Sequence, residues 1–368
     1  MDTTDPEIQF DNNGVCNHCH QFDSQTSTRW FPNDEGQIKL SEIFNKIKHK
    51  RRNYEYDCIL GLSGGLDSSY LALVLKKYNL RPLVVHVDAG WNSELAVYNI
   101  EKVVKYCGFD LYTHVMNWPE VRDLQLAYLK SGIANQDAVQ DHAFFASLYH
   151  YAVDNKISCV ISGGNIATES VFPKSWHHAA MDSINLKAIH RKFGQIPLKS
   201  YKAISFMKYY FYYPYIKRMN VIRPLNYLPY NKEKALQELQ DKVGYKAYHR
   251  KHGESRFTKF FQNYYLPTKF NMDKRRPHLS SMVLSGLITR QHALEELSQP
   301  LYADNELRED MYFISKKLGI TLEQLNEYIS APGHHYSDYP NWDLRYASMK
   351  RLQSILSSFL GFRVNKYS

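Results

Sequence analysis

The sequence has no run of about 18 consecutive apolar residues, which excludes an ordinary membrane-spanning helix. It also lacks the basic-then-apolar leader and small-residue cleavage site of a secretory signal, so a cytoplasmic location is expected. Cysteine is scarce, five in 368 residues, and Cys58, Cys107 and Cys159 stand alone in apolar stretches. That pattern argues for buried thiols in a reducing compartment and against a disulfide framework. No internal repeat or low-complexity tract interrupts the chain, and its mix of 44% hydrophobic and 23% charged residues is that of a globular protein.

What is abundant is positive charge and tyrosine. A formal net charge of +9 implies attraction to an anionic partner: nucleic acid, a nucleotide, a sugar nucleotide or a membrane surface, without choosing among them. Of the 29 tyrosines, several cluster within Lys208-Tyr209-Tyr210-Phe211-Tyr212-Tyr213. Two readings stand: a half-buried helix with phenol tips in water, or rings that stack on a base or sugar.

Three regions are expected. Residues 1–50 are read as a loop-rich segment with Cys16-Asn17-His18-Cys19-His20 and a helix over Leu40 to Lys50. From 51 to 230, short aliphatic runs alternate with amphipathic segments. Strands are expected over Asp57–Leu62, Pro82–Val87, Leu111–Met116 and Ile157–Ser162, with helices over Leu66–Tyr78, Ser93–Cys107 and Ala138–Asn155. Strands and helices alternating at this spacing predict an α/β fold, a parallel sheet with helices on both faces. From 231 to 368 strand signals fade, and a mainly helical region for substrate or partner binding is expected.

The sharpest motif is Ser63-Gly64-Gly65-Leu66-Asp67-Ser68-Ser69, between the first strand and its helix. Glycines let the backbone turn and approach an anion, and first-turn N–H groups with the helix dipole favour negative charge there. The hydroxyls of Ser63, Ser68 and Ser69 add donors. A carboxylate in such a turn would repel phosphate unless a cation lay between them, so Asp67 reads as a Mg²⁺ ligand shared with phosphate oxygens. A plain strand-to-helix turn would not need seven such residues in register.

This heptad resembles the PP-loop of the ATP pyrophosphatase superfamily, which includes asparagine, GMP and NAD synthetases and several tRNA-modifying enzymes. It is distinct from the Walker loop, having no Gly-Lys-Ser/Thr ending. The resemblance implies cleavage of ATP between its α and β phosphates, an adenylylated substrate, and displacement of AMP by a nucleophile. It also brings Val87 and Asp88, ending the second strand, and Gly163-Gly164, after the fourth, to the nucleotide.

A second run is dense in cations, hydroxyls and aromatics: Gly253 to Gln262, Tyr264 to Pro267 and Asp273 to Ser281. Such a mix suits a phosphorylated sugar, and equally a solvated basic helix with aromatic anchors. The run resembles the signature of the N-acetyl sugar amidotransferases of surface-polysaccharide and flagellar-sugar biosynthesis. The resemblance extends through Asp2–Pro6, Val15–Cys19, His86–Asn92 and Asn185–Gly194. It implies that ATP activates an acetamido oxygen and that ammonia displaces AMP to leave an acetamidino group. Substrate-binding roles are thus expected for Trp91, Glu254, Arg256, Lys259, Arg276 and His278, and catalytic roles for Asp67, Asp88, Lys274 and Arg275.

No glutaminase signature is present, and residue 2 is Asp. The resemblance therefore implies ammonia from a separate glutaminase with a cyclase-like barrel companion, as in histidine biosynthesis. Relatives carry a Cys-x-x-Cys upstream of the stretch that begins here at Met1, which with Cys16 and Cys19 would make a four-thiolate zinc knuckle. Its lack suggests a start at an internal methionine or a shortened version. Cys16 and Cys19 are left either as zinc ligands, with His18 or His20 as substitutes, or as two free thiols. The rival assignment is a tRNA-modifying PP-loop enzyme, lysidine-type or thiolase, although a cluster-bearing thiolase would want further paired cysteines.

Overall fold

A computed structural model describes residues 1–248 and 253–360; the remainder of the expected C-terminal region lies outside the described residues. Two helices come first, α1 (Asn17–Arg29) and α2 (Asp34–Arg51). Residues 1–50 are therefore largely helical, not loop-rich. The helix expected from Leu40 starts at Asp34, because the Asn33 side chain accepts from Gly36 N and caps it. Leu40 and Phe44 are fully buried, which anchors α2 on the domain that follows.

That domain runs β1 (Cys58–Gly61), α3 (Leu66–Lys77), β2 (Pro82–Asp88), α4 (Glu94–Cys107), β3 (Asp110–Val115), α5 (Trp118–Ser131), α6 (Ala138–Asp154), β4 (Cys159–Ile161), α7 (Ile166–Glu169), α8 (Ser183–Phe193) and β5 (Asn220–Ile222). The five strands are parallel in the order β3-β2-β1-β4-β5. Successive side chains alternate between two cores, as the pleat requires. Ile59, Leu83, Val85 and Val87 enter one core, whereas Cys58, Leu60 and Val84 enter the other with Leu40, Leu71 and Val103.

The fold is thus the α/β class read from the sequence, with helices on both faces. All four expected strands form. β5 had no sequence signal because three residues are too few to show a period. Lys208–Ile216 forms a π-helix with Tyr213 buried and Tyr209 and Tyr210 packed on Trp342, so the tyrosine cluster is the half-buried helix.

The C-terminal region is helical: α9 (Lys232–Val243), α10 (Arg256–Phe260), α11 (Leu266–Phe270), α12 (Arg275–Leu284), α13 (Arg290–Ser298), α14 (Asp304–Leu318), α15 (Leu322–Ser330) and α16 (Asp343–Leu360). A π-turn, Phe261–Tyr265, joins α10 to α11. Phe257, Phe260, Phe261 and Tyr265 are buried and bring this stretch into the same core as Ile59 and Val85. The helical region is packed on the sheet domain, not tethered beside it. No helix among the described residues is long and apolar enough to cross a membrane.

Candidate active site

Strand order reverses between β1 and β4, and open parallel sheets bind ligands in the crevice outside the carboxyl ends of the strands at that point. The loop after β1 holds Ser63 to Ser69, and the loop after β4 holds Gly163 and Gly164. The first intrahelical bond of α3 runs from Ser69 N to Gly65 O, and Gly65 provides no side-chain cap. The first-turn N–H groups of α3 are thereby left for an anion. Gly64 has φ +83°, and a Cβ on it would lie 2.8 Å from Ala96 O, so both backbone geometry and space require glycine. Ser63 Oγ accepts from Gly65 N at 3.2 Å and lies 3.2 Å from Ser68 Oγ, which fixes the turn. Ser69 differs from its neighbours: its side chain is buried and its hydroxyl has no hydrogen-bond partner among the described residues.

Asp67 lies in the first turn of α3, and a Cβ on Gly163 would approach Asp67 Cβ at 3.6 Å. The two loops therefore meet. The Tyr230 hydroxyl donates to Asp67 Oδ1, and burial together with that carboxylate pushes the phenol pKa up, so it remains a donor. Two more tyrosines, Tyr245 and Tyr248, donate to Gly64 O at 3.1 and 3.0 Å. Arg223, just past β5, comes to Gly164: its Nε would lie 3.4 Å from a Cβ there. Glu169 and Glu254 also bring carboxylates to the two loops, and this set of hydroxyls, first-turn N–H groups, a cation and carboxylates fits a nucleotide phosphate with Mg²⁺, which Asp67 would hold.

At the end of β2, Asp88 Oδ1 accepts from Gly90 N at 2.7 Å, and Val87 is buried in the core beneath it. His86 Nδ1 lies 2.9 Å from Leu62 O and Nε2 lies 2.9 Å from Asn92 Nδ2, so Nδ1 carries the proton and the ring ties β2 to the strand before the phosphate loop. Lys317 of α14 reaches this corner, its ammonium 5.0 Å from the Trp118 ring and 5.5 Å from Trp91. Burial lowers the Lys317 pKa, partly offset by Asp88.

Segment 254–258 covers the loop from the far side. Glu254 Oε1 would lie 3.2 Å from a Cβ on Gly65, and Ser93 N donates to Glu254 O. Beside it opens a cavity of about 910 Å³ bounded by Asp137, Asp141, Glu169, Phe172, Lys274 and His278 among others. Lys274 lies 4.3 Å from the Phe172 ring centroid. His278 Nδ1 donates to Thr168 O at 2.7 Å, leaving Nε2 to accept from Lys232 Nζ at 3.1 Å.

The remaining cations of the run are engaged within the protein. Arg256 donates twice to Asp310 Oδ1, at 2.7 and 2.9 Å, and Lys259 binds Glu306 and Asp310, with Asp310 only 1% exposed. These two residues fasten α10 to α14. Arg275 pairs with Asp273 and caps the end of α13 through Glu296 O and Gln299 O, although it borders the cavity. Arg276 pairs with Asp2. Trp91, expected at the acceptor, is 1% exposed and wedged between Trp118 and Phe257, so it is a core residue.

The zinc expectation finds no support among the described residues. Cys16 and Cys19 place their sulfurs 3.4 Å apart, but His18 binds Asp5 and His20 binds Asp11. No group of three or more His, Cys, Asp or Glu that could hold a metal ion exists among the described residues. Cys58 and Cys159 are buried thiols, as expected, and burial pushes Cys159 up to about 12.

The parallel sheet with helices on both faces is of the α/β class, with the Ser63–Ser69 loop at its switch point. Residues 254–353, from the loop-covering segment into α16, match the family described as LPS biosynthesis protein WbpG-like, C-terminal domain. An uncharacterized protein of Methanocaldococcus jannaschii is 33% identical over 106 residues, 28% of this chain and 36% of that relative, so the match spans about a third of the relative's length. Among solved structures, NMN synthetase from Francisella tularensis is 14% identical with a TM-score of 0.37, over 73% of this chain and 98% of that one. The NH3-dependent NAD synthetase from Campylobacter jejuni is 15% identical with a TM-score of 0.29, over 42% and 72%.

The aspartates Asp137 and Asp141, together with Tyr230, Tyr245, Arg223 and Lys317, were missed in the sequence reading. Each lies far in sequence from the loop or cavity residues it meets, and none belongs to a local motif. The Gly-Tyr spacing before Tyr245 carries no signal of its own.

Proposed function

We propose that the chain is an ATP-dependent, AMP-forming C–N ligase. It adenylylates the acetamido oxygen of an N-acetylated, nucleotide-linked sugar, and ammonia displaces AMP to give an acetamidino sugar for surface-polysaccharide synthesis. The observation that carries the reading is the placement of Ser63–Ser69 at the switch point, with Asp67 held by Tyr230 and the loop covered by segment 254–258. The family match over 254–353, to a protein of LPS biosynthesis, supports a sugar as acceptor.

In this reading the first turn of α3 and Arg223 receive the phosphates, and Asp67 holds Mg²⁺, which would offset charge as pyrophosphate departs. An amide oxygen leaves poorly until adenylylated, which is why ATP is consumed. The cavity beside the loop receives the sugar: Phe172 offers a ring face, and Lys274 and Lys232 offer charge to its phosphates. Ammonia comes from a separate glutaminase with its barrel companion.

The test incubates the purified chain with ATP, Mg²⁺, ammonium and a panel of N-acetylated nucleotide sugars, followed by mass spectrometry. A product in which one O has been exchanged for NH supports the reading; conversion of a tRNA in place of any sugar would favour the tRNA-modifying alternative. Glutamine alone should give no product until a glutaminase is added.

A further inference from the structure

The cavity wall carries an acid pair, Asp137 buried and Asp141 half-buried. Asp137 and Asp141 lie one turn apart at the start of α6 and both border the cavity. Asp137 is already occupied: its Oδ1 accepts from Thr258 Oγ1 and from Gln140 Nε2, each at 3.2 Å. These bonds tie it to the segment that covers the phosphate loop. Lys274, from the opposite wall, is the cation whose charge acts on both carboxylates.

We propose that Asp141 takes up the proton released when ammonia attacks the adenylylated acceptor, with Asp137 and Lys274 as positioning residues that set its charge. The proposal rests on the ligase reading above. The nitrogen lone pair forms the new C–N bond and gives a tetrahedral adduct with an N–H3⁺ centre. The C–O bond to the adenylate then breaks, its electron pair leaves with AMP, and one N–H proton passes to the Asp141 carboxylate. Without an acceptor for that proton, the adduct expels ammonia more readily than AMP.

The surroundings suit this role. Burial pushes the Asp141 carboxyl up to about 6, although Lys274 pulls it down, so a modest change of pH switches it between proton donor and acceptor. Asp137 is raised well above the ordinary range by burial and by Asp141 itself, and so stays protonated longer. Burial lowers His177, and lowers His178 to about 3, which keeps both rings neutral. His278 accepts from Lys232 and donates to Thr168 O. Glu169, on α7, faces the cavity from the phosphate-loop side.

The test uses the full chain with Asp141→Asn. Acceptor-dependent exchange of pyrophosphate into ATP, which reports adenylylation only, should stay within about threefold of the unsubstituted chain, while product formation from ammonium falls roughly 10²–10⁴-fold. The acid limb of the unsubstituted chain's rate profile, with its midpoint near 6, should disappear. Hydroxylamine, a far weaker base whose adduct sheds its proton to water readily, should recover much of the lost rate. A merely structural aspartate would show neither the split between the two reactions nor that recovery. Product formation within threefold of the unsubstituted chain, or equal loss of both reactions without rescue, overturns the role of Asp141. Absence of exchange in the unsubstituted chain would overturn the ligase reading itself and the proposal with it. Should the variant fail to fold, Asp141→Glu in the same assays decides, because a carboxylate there should retain both the acid limb and the rate within about tenfold.

Discussion

The phosphate loop and the cationic run, two segments equally conspicuous in the sequence, differ in what becomes of their polar groups. In Ser63–Ser69 the geometry that matters is made by neighbours: Gly64, Gly65, Ser63 and Ser68 shape one turn, and α3 supplies its own N–H groups. In 256–278 the charges are spent on distant partners, Arg256 and Lys259 on Asp310, Arg275 on Asp273 and on the end of α13, and Arg276 on Asp2. Of the four cations Lys259, Lys274, Arg275 and Arg276, Lys274 enters the cavity with no carboxylate bonded to it in an ion pair among the described residues. A local motif therefore carries its own geometry in the sequence, whereas density of charge reveals only that partners exist.

The sharpest way to break this contrast is at Asp67. Asp67→Asn should lower pyrophosphate release by about 10³-fold or more, which is about 4 kcal/mol, with an unchanged melting temperature. A variant that kept wild-type turnover would make the loop an ordinary turn. Next comes Asp310, which has no part in the chemistry but joins α10 to α14. Its replacement by alanine leaves Arg256 and Lys259 without their buried partner and should destabilise the fold by about 3–5 kcal/mol in urea titration.

Smaller effects separate the cations from one another. Lys274→Ala should cost about 1.5–3 kcal/mol in kcat/KM for the sugar, measured at saturating ATP, because a hydrogen bond to a charged group is lost. Arg276→Ala, whose partner Asp2 is half-exposed, should cost under about 1 kcal/mol in stability and leave kcat/KM within threefold. Equal losses at both positions would erase the distinction drawn between the cavity and the surface.

A further effect is one of pH. Asp141 is raised in the fold, so its contribution to stability is present below its unfolded pKa near 3.8 and is lost as pH rises through about 6. Asp141→Asn removes that loss. The variant should therefore melt at a higher temperature than the parent at about pH 8 and show no gain at about pH 4, by calorimetry at the two values.

The fold was legible where periodicity was long enough to read. The four strands from Cys58 to Ile161 and the helices α3, α4 and α6 follow alternation or a 3.6-residue stripe that the sequence displays without help. The helix α1 was missed because its polar residues carry no strong apolar face, and β5 because it is three residues long. In the candidate site, Asp67 and the loop glycines were legible because they stand together in one local motif. Tyr230, Tyr245 and Tyr248 could not be, since their hydroxyls reach Asp67 and Gly64 across more than a hundred residues of chain. Trp91, expected at the acceptor from the resemblance, is instead closed over by Trp118 and Phe257, contacts that lie far from it in sequence.

In the proposed function the loop directs attack to the α phosphorus of ATP. ATP labelled at the α position, incubated with the chain, Mg²⁺, ammonium and an N-acetylated nucleotide sugar, decides it when the products are separated. The account predicts labelled AMP in equal amount with unlabelled pyrophosphate, and labelled ADP with free phosphate would contradict it.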